Sequence, residues 1–433
     1  MISQVIFGML LLAATALAFR NARKIVQNIH LGRKEWRKDQ PAKRLRTMLL
    51  VAFGQNKMFK RPLAAILHLF LYLGFFIINI EIVEIIIDGL FGTHRVFSGL
   101  GVAYGLLIAA FEWLALSVLV GCVIFLARRN IIRLRRFFGT EMRPWPRTDA
   151  NLILIAEILL MTAFLTMNAA DYKLQLAEAA NYTQAGSFPV SSWLMSLLPS
   201  DVGQLMFVER FSWWFHIIGI LAFLNYLPYS KHLHILLAFP NTYYSNLYPQ
   251  GRFTNMASVT NEVKAMLDPS FTPQATDAPL RFGARDVQDL TWKNLLDAYS
   301  CTECGRCTSA CPANITGKLL SPRKIMMDTR DRMEEVGHNF RKRKDATDSD
   351  GKSLLDDYIT REEIWACTTC NACVEACPVN INPLEIIMEL RRYMVMEESR
   401  APTSLNNMVS NVENNGAPWK YAQADRANWA ENG

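Results

Sequence analysis

The chain has 433 residues, a length that allows two or three domains, and 51% of them are hydrophobic. Its formal net charge is +7, with thirteen Lys or Arg in residues 20–61 and seven Arg in residues 128–147. Because these basic blocks lie directly between long apolar runs, they indicate membrane topology and not nucleic-acid binding.

Five apolar stretches are long enough to cross a bilayer as helices, which takes about 20 residues each. They lie at roughly 3–19, 62–90, 99–127, 150–170 and 204–228. The first has no basic region before it, and its positive charges follow it, so we interpret it as a retained helix and not as a cleaved signal peptide. The sequence therefore predicts a five-helix transmembrane domain over residues 1–240, embedded in a lipid bilayer.

The distribution of Lys and Arg predicts the orientation of this domain. Basic segments 20–61 and 128–147 belong on the cytoplasmic side, and segments 91–98 and 171–203, with one basic residue each, belong outside. Five spans then return the chain to the cytoplasm after Pro228. We expect a multi-pass protein of a bacterial or archaeal inner membrane.

Four of the seven histidines lie in or beside these spans. Ionisable groups inside a membrane are costly and usually functional, and neutral imidazoles from separate helices can ligate a haem iron. His68 lies about 9 Å into its span at 1.5 Å per residue, and His234 lies just past the last span, so these two are the favoured pair. His216, about 18 Å deep, is an alternate ligand that could pair with His68 if the second helix begins before Pro62, and His232 is another alternate. The competing interpretation is hydrogen bonding between helices; His30, His94 and His338 are expected at the surface.

Carboxylates also occur within the predicted spans. Glu81 and Glu84 share one helical face with Asp88, and Glu112 and Glu157 lie in the third and fourth spans. One interpretation is a proton path that serves a quinone site. The other is a set of protonated carboxyls that hydrogen bond between helices, and the sequence does not distinguish the two.

The last span carries a resemblance to a known family. It resembles the cytochrome b (gamma) subunit of respiratory nitrate reductase, and the related anchors of membrane-bound heterodisulfide reductases and sulfite-reduction complexes. The residues that carry it are Trp213-Trp214-Phe215-His216 and Pro228-Tyr229-Ser230-Lys231-His232-Leu233-His234. The family has five helices, and two histidines on its last helix are 18 apart, as His216 and His234 are here.

The resemblance implies b-type haem, but this sequence departs from the family at one position. The second helix of the nitrate reductase subunit carries two histidines ten apart, whereas here the residue ten after His68 is Ile78. We expect one b-type haem, between His68 and His234, and leave a second open.

Two copies of the pattern C-x-x-C-x-x-C-x-x-x-C-P follow, at residues 301–312 and 367–378. This spacing is typical of two-cluster proteins, in which the fourth cysteine of each run ligates the other 4Fe-4S cluster. Zinc is not favoured, because its sites use two C-x-x-C pairs or include histidine. The predicted ligands of the first cluster are Cys301, Cys304, Cys307 and Cys377, and those of the second are Cys367, Cys370, Cys373 and Cys311.

The spacer between the motifs is too long for a compact ferredoxin of two hairpins. Ser321-Pro322 and Asn382-Pro383 each predict the start of a helix with apolar residues at helical spacing. We therefore predict an all-α chain: an α-helical ferredoxin over residues 285–400, a linker over 241–284 and a polar tail over 401–433. This half resembles the iron–sulfur subunit of heterodisulfide reductase and the helical cluster domain of succinate dehydrogenase. The whole chain resembles membrane-bound heterodisulfide reductase-like iron–sulfur oxidoreductases.

Together these features indicate a membrane-anchored electron-transfer subunit that connects a cytoplasmic redox partner with membrane quinone. Self-contained members of the resembling family continue into domains with paired Cys-Cys, but this sequence has no adjacent cysteines and no flavin or nicotinamide motif. We therefore expect a separate cysteine-rich or flavoprotein subunit, and assign no catalytic residue here. Two alternatives stay open: a self-contained heterodisulfide reductase-like or electron-transfer-flavoprotein:quinone-type oxidoreductase, and a haem-free redox sensor.

Overall fold

The computed structural model describes residues 1–182, 184–272, 281–343 and 350–431. Within these ranges the regular elements are helices, and no β-strand is present. The all-α prediction is confirmed.

Five helices are long and apolar enough to cross a membrane, and each corresponds to one of the predicted spans. Two short helices lie between them. The helices of this half are α1 Ile2–Ile29, α2 Pro41–Met48, α3 Pro62–Phe91, α4 Val102–Asn130, α5 Trp145–Leu176, α6 Ser191–Leu194 and α7 Val202–Tyr226.

Local signals explain where several of these helices begin and end. Pro62 occupies the first turn of α3, where its missing N–H costs nothing, and Gly92 ends that helix with a φ of +72°. Asp201 caps α7 by accepting a hydrogen bond from the backbone N–H of Gln204 at 2.9 Å. Helix α1 runs about ten residues past the predicted span, because hydropathy does not register the polar turns that continue it.

The bundle is held together by close helix packing. Helix α5 packs between α4 and α7, α3 packs on α4, and α1 packs against α3 and α7. Glycines mark the closest approaches: a Cβ at Gly74 would lie 2.5 Å from Val118, one at Gly121 2.7 Å from Leu71, and one at Gly219 2.6 Å from Leu160. Small residues at such contacts are what helix association in a membrane favours.

The second half is a group of shorter helices around the cysteine motifs. The helices predicted to begin at Pro322 and Pro383 are both present, and Met326, Met333, Ile386 and Leu390 are buried as their spacing predicted. The helices of this half are α8 His234–Tyr243, α9 Ala257–Leu267, α10 Trp292–Ser300, α11 Arg306–Ala310, α12 Pro312–Ile315, α13 Pro322–Arg343, α14 Leu354–Asp357, α15 Arg361–Trp365, α16 Ala372–Ala376, α17 Pro383–Met396, α18 Thr403–Asn415 and α19 Asn428–Glu431.

Residues 241–284, predicted to be a linker, contain helical segments. Helix α8 crosses the start of this segment, and α9 lies inside it. At its end Ala284 is buried and its N–H donates to the Glu389 carbonyl at 2.9 Å, so this part belongs to the helical domain. Residues 273–280 lie outside the described part. The tail predicted over 401–433 contains α18 and α19, and its last two residues also lie outside the described part.

The two halves meet at one end of the bundle, which we call the cluster end; the opposite end is the distal end. Helix α1 continues into the junction, where Asn28 Nδ2 donates to Tyr299 Oη at 2.7 Å. The loop between α4 and α5 is joined to α13 by an ion pair between Glu141 and Arg323 at 2.6 Å. Both contacts fix the cysteine-containing domain against the helices.

Candidate functional site

The two cysteine loops adopt the same local conformation. Glu303 and Gly305 in the first loop have φ of +54° and +70°, and Thr369 and Asn371 in the second have +56° and +60°. Left-handed residues at matching positions turn the backbone around the space between the first three cysteines. Helices α11 and α16 follow, pack on each other, and bring the two motifs together.

All eight motif cysteines are free thiols. The sulfur of Cys377 lies close enough to those of Cys301, Cys304 and Cys307 to interact with them electrostatically. Cys311 is a neighbour of Cys367 and Cys373, and Cys370 interacts with the same two sulfurs. The structure thus places the fourth cysteine of each run near the first three cysteines of the other run. One contact crosses between the groups, from Cys307 to Cys373.

The thiols of these groups are suited to bind a cationic cluster. Burial, followed by the Glu303 carboxylate and the neighbouring sulfurs, raises the pKa of Cys301 to about 12. Burial, followed by Cys304, raises the pKa of Cys377 to about 11. Thiolates held this closely need a metal to supply positive charge. In the described ranges no three His, Cys, Asp or Glu side chains lie close enough to hold a single ion. Four thiolates around a four-iron cluster are more widely spaced than that.

Cations and backbone donors also surround the sulfurs. Lys57 and Arg306 lie in the field of Cys377, and Arg391 lies beside Cys367. The Ile381 N–H donates to Cys377 Sγ at 3.3 Å and the Thr369 N–H to Cys367 Sγ at 3.4 Å. Such donors and charges raise the reduction potential of an iron–sulfur cluster. Cys370 is the exposed member of the set, so the second group reaches the surface.

Three histidines lie beside this domain at the cluster end. The ring centroids of His68 and His234 are 6.3 Å apart, and those of His232 and His234 are 5.7 Å apart. Burial, together with the other two rings, lowers the pKa of His232 to about 3, and burial lowers the pKa of His234. Neutral imidazole is the form that binds a metal.

Hydrogen bonds orient the favoured pair. His68 Nδ1 contacts Gln55 Oε1 at 3.1 Å, and His234 Nδ1 contacts the Lys231 carbonyl at 3.0 Å. Both acceptors fix Nδ1 as the protonated nitrogen and leave Nε2 as the ligand atom, the arrangement found in metal-bound histidine. Two imidazoles that share one metal at bond lengths of about 2.0–2.1 Å would have ring centroids roughly 6 Å apart. The 6.3 Å between His68 and His234 is close to that separation, so these two residues would be the ones to hold a haem iron.

His216 lies apart from these three. Its Nδ1 contacts the Leu160 carbonyl at 3.0 Å, and its ring packs on Phe164 at 5.8 Å. Among the described residues no histidine ring stacks against it. The structure therefore does not bring His216 to His68, the second pairing that the sequence left open.

A short segment joins the histidines to the cysteine domain. Two residues after Gln55, Lys57 Nζ donates to the Val374 carbonyl at 3.3 Å and to Asn380 Oδ1 at 3.1 Å. Neither Gln55 nor Lys57 was predicted as a functional residue, because no motif distinguishes them within the basic segment 20–61. Only their contacts reveal them.

The buried carboxylates form a separate network at the distal end. Glu84 accepts from Tyr104 Oη at 2.9 Å, and Glu112 accepts from the N–H groups of Val190 and Ser191 at 2.8 and 3.0 Å. For Glu84 and Glu112 these bonds favour the interpretation as hydrogen bonding between helices over that of a proton path. Glu81 borders a cavity of about 240 Å³, and its Oε2 has no partner among the described residues.

Two other residues differ from expectation. His94, expected at the surface, lies 3.3 Å from Asp171 and packs on Tyr182. Glu157, grouped with the other carboxylates, lies beside Cys122 instead and makes no hydrogen bond to the network in the described part. Its place in a common proton path has no support from contacts.

The fold and these groups define an all-α iron–sulfur electron-transfer protein with five membrane-type helices. Residues 300–381 match the family model of the 4Fe-4S dicluster domain. The chain is 29% identical, over 93% of its length, to the probable iron-sulfur-binding oxidoreductase FadF of Bacillus subtilis, and covers 57% of that protein. It is 27% identical, over 91% of its length, to the EtfAB:quinone oxidoreductase of Syntrophomonas wolfei, and covers 55% of it.

A narrower match concerns the cysteine domain. Over 25% of its length the chain is 36% identical to one of the subunits of the ferredoxin/F420H2-dependent CoB-CoM heterodisulfide reductase of Methanosarcina acetivorans, and covers 52% of that protein. The chain therefore spans about half the length of the curated relatives that it matches. No solved structure matches it.

Proposed function

We propose that this protein passes electrons between membrane quinone and a redox partner on the cytoplasmic side, through two 4Fe-4S clusters and one b-type haem. The observation that carries the proposal is the adjacency of two kinds of ligand set. The His68–His234 pair and the eight cysteines lie at the same end of an apolar bundle, joined through Gln55 and Lys57.

The residues present fit both groups. Cys301, Cys304, Cys307 and Cys377 would hold one cluster, and Cys367, Cys370, Cys373 and Cys311 the other. His68 and His234 would hold the haem through Nε2. When bound, these cofactors supply one-electron chemistry, while the chain positions them and adjusts their charge environment. Lys57, Arg306 and Arg391 offset the negative charge of the thiolates.

The charge distribution supports the proposed cytoplasmic placement. The basic segments 20–61 and 128–147 lie at the cluster end, whereas the distal loops carry Arg95 and Lys173. Positive loops remain on the cytoplasmic side. Cysteines that bind clusters as thiolates also favour a reducing compartment.

The quinone and the partner are supported by the relatives. One relative is named for quinone and another is part of a heterodisulfide reductase. Because several relatives are named as subunits of heterodisulfide reductases, we assign the cytoplasmic chemistry to a cysteine-rich or flavoprotein partner. The match over 91% of the chain favours, as second candidate, an electron-transfer-flavoprotein:quinone-type oxidoreductase.

Anaerobically purified full-length protein tests the proposal. We expect about nine iron per chain, eight from the two 4Fe-4S clusters and one from the haem, together with about eight acid-labile sulfide. We also expect a b-type α band in the reduced-minus-oxidised spectrum. A menaquinol analogue added to the protein in liposomes should reduce the haem, so that the α band appears. A missing band contradicts the haem and favours a haem-free sensor. A band that dithionite reduces and the quinol does not contradicts the quinone step.

A further inference from the structure

Lys231 contacts both the first cysteine loop and the His234 ligand. Its Nζ forms an ion pair with the carboxylate of Glu303, which stands between Cys301 and Cys304. Its backbone carbonyl accepts the hydrogen bond from His234 Nδ1 at 3.0 Å. A single residue therefore spans the two candidate redox centres.

The ion pair is buried and further fixed by neighbours. The side chains of Lys231 and Glu303 are 10% and 3% exposed. Arg330 donates to Glu303 at 2.8 Å, and Asp149 accepts the Lys231 N–H at 3.1 Å. Burying charges is expensive, and an apolar contact of similar size is often as stable. Stability alone therefore does not explain why these charges lie here.

The second cysteine loop shows that the carboxylate is not needed to shape the first. Thr369 occupies the position equivalent to Glu303 and has nearly the same φ, +56° against +54°. The loop conformation thus forms with or without an acidic side chain. What distinguishes Glu303 is its contact with Lys231 and Arg330.

We propose that the Lys231–Glu303 pair is a positioning and charge-tuning link between the first cluster and the haem, an inference that rests on the proposed function. A cation between two redox centres stabilises the reduced, more negative form of each, and more strongly in a low-dielectric site than in water. Lys231 accordingly raises both potentials, and Glu303 partly offsets it. The backbone of Lys231 holds the His234 ring in place.

Two substitutions that break the same contact separate charge from packing. K231M removes a positive charge, and we expect the midpoint potential of the haem to fall by about 59 mV, a tenfold change in a one-electron equilibrium. E303Q removes a negative charge while keeping the shape of the side chain, and we expect the haem potential to rise. The potential of the first cluster, followed by electron paramagnetic resonance, should move in the same two directions.

Control variants complete the experiment. K231R keeps the positive charge, so its two midpoint potentials should stay close to those of the wild type. K173M removes a lysine that donates to two carbonyls at the distal end and should change neither potential. Shifts of one sign in both K231M and E303Q, or no shift in either, would overturn the inference. A wild-type protein without the haem band contradicts the proposed function instead, and the pair is then judged on the first cluster alone.

Discussion

The imidazole rings of His68 and His234 lie with their centroids 6.3 Å apart at the cluster end. The Nδ1 atom of each ring hydrogen bonds to an oxygen that belongs to neither histidine. The acceptors differ in origin: Gln55 contributes a side-chain amide, and Lys231 a backbone carbonyl. Neither histidine needs the other for its hydrogen bonds. The two Nε2 atoms therefore remain available to a shared ligand.

Removing either member of this pair should remove the haem. We expect H68A and H234A to lose the b-type α band, because each variant would leave only one of the two imidazoles predicted to hold the haem. H216A should keep the band, since His216 hydrogen bonds Leu160 and packs on Phe164 away from the pair. Difference spectra of the three variants at equal protein concentration provide the measurement. A lost band in H216A alone would place the haem at the deeper site.

The prediction that the fourth cysteine of each motif ligates the cluster of the other motif can be tested one cluster at a time. C377S should perturb the cluster held by Cys301, Cys304 and Cys307, and C311S the cluster of the second motif. We expect each variant to lose or alter one of two resonance signals while the other persists, with iron content falling towards half. C122S is the matched control, since Cys122 is buried in the bundle. Loss of the same signal in both variants would contradict the pairing.

The distal network should contribute to stability and not to cofactor binding. Arg95 ion-pairs with buried Asp171, and removing one partner of such a pair costs about 3–5 kcal/mol. We expect R95M to lower the thermal unfolding temperature in detergent while the haem band stays intact at low temperature. E157Q, which breaks no hydrogen bond to this network, should leave the unfolding temperature nearly unchanged. Equal losses in both variants would mean that Glu157 has a role the contacts do not show.

The features predicted correctly depend on local sequence. Five spans followed from hydropathy alone, and the starts of α13 and α17 followed from Pro322 and Pro383. The extension of α1 to Ile29 was not predicted, because its polar turns find partners elsewhere: Asn28 bonds Tyr299 of the cysteine domain. A hydropathy window averages over residues near in sequence and does not include such contacts.

The same distinction applies to the site. The grouping of the cysteines and the pairing of His68 with His234 are predictions that local sequence allows, from the spacing of the motifs and the depth of each histidine in its span. Gln55 and Glu303 were not assigned, since each acts through one long-range contact that no motif records. His94 was expected at the surface because its neighbours in sequence are polar, but tertiary packing places it beside Asp171.

The contact between the two halves gives a final prediction, with a defined pH dependence. Burial opposes ionisation of Glu141, but Arg323 and Ser321 outweigh it and hold the Glu141 pKa below 4.5. A carboxyl whose pKa is lowered in the folded state adds stability above its unfolded pKa, and that stability is lost as the pH falls below about 4.5. E141Q should therefore lower the unfolding temperature at pH 7, with a cost of about 1–3 kcal/mol for the lost charged hydrogen bonds.

The difference between wild type and E141Q isolates this contribution from any acid loss of the clusters, which both proteins share. We expect the gap between their unfolding temperatures to be widest at about pH 6–7 and to narrow as the pH falls towards about 4. E362Q is a suitable control, because Glu362 is exposed and should give no gap at either pH. A gap for E141Q that stays constant over this range would show that the Glu141 contact stabilises the junction through shape and not through charge.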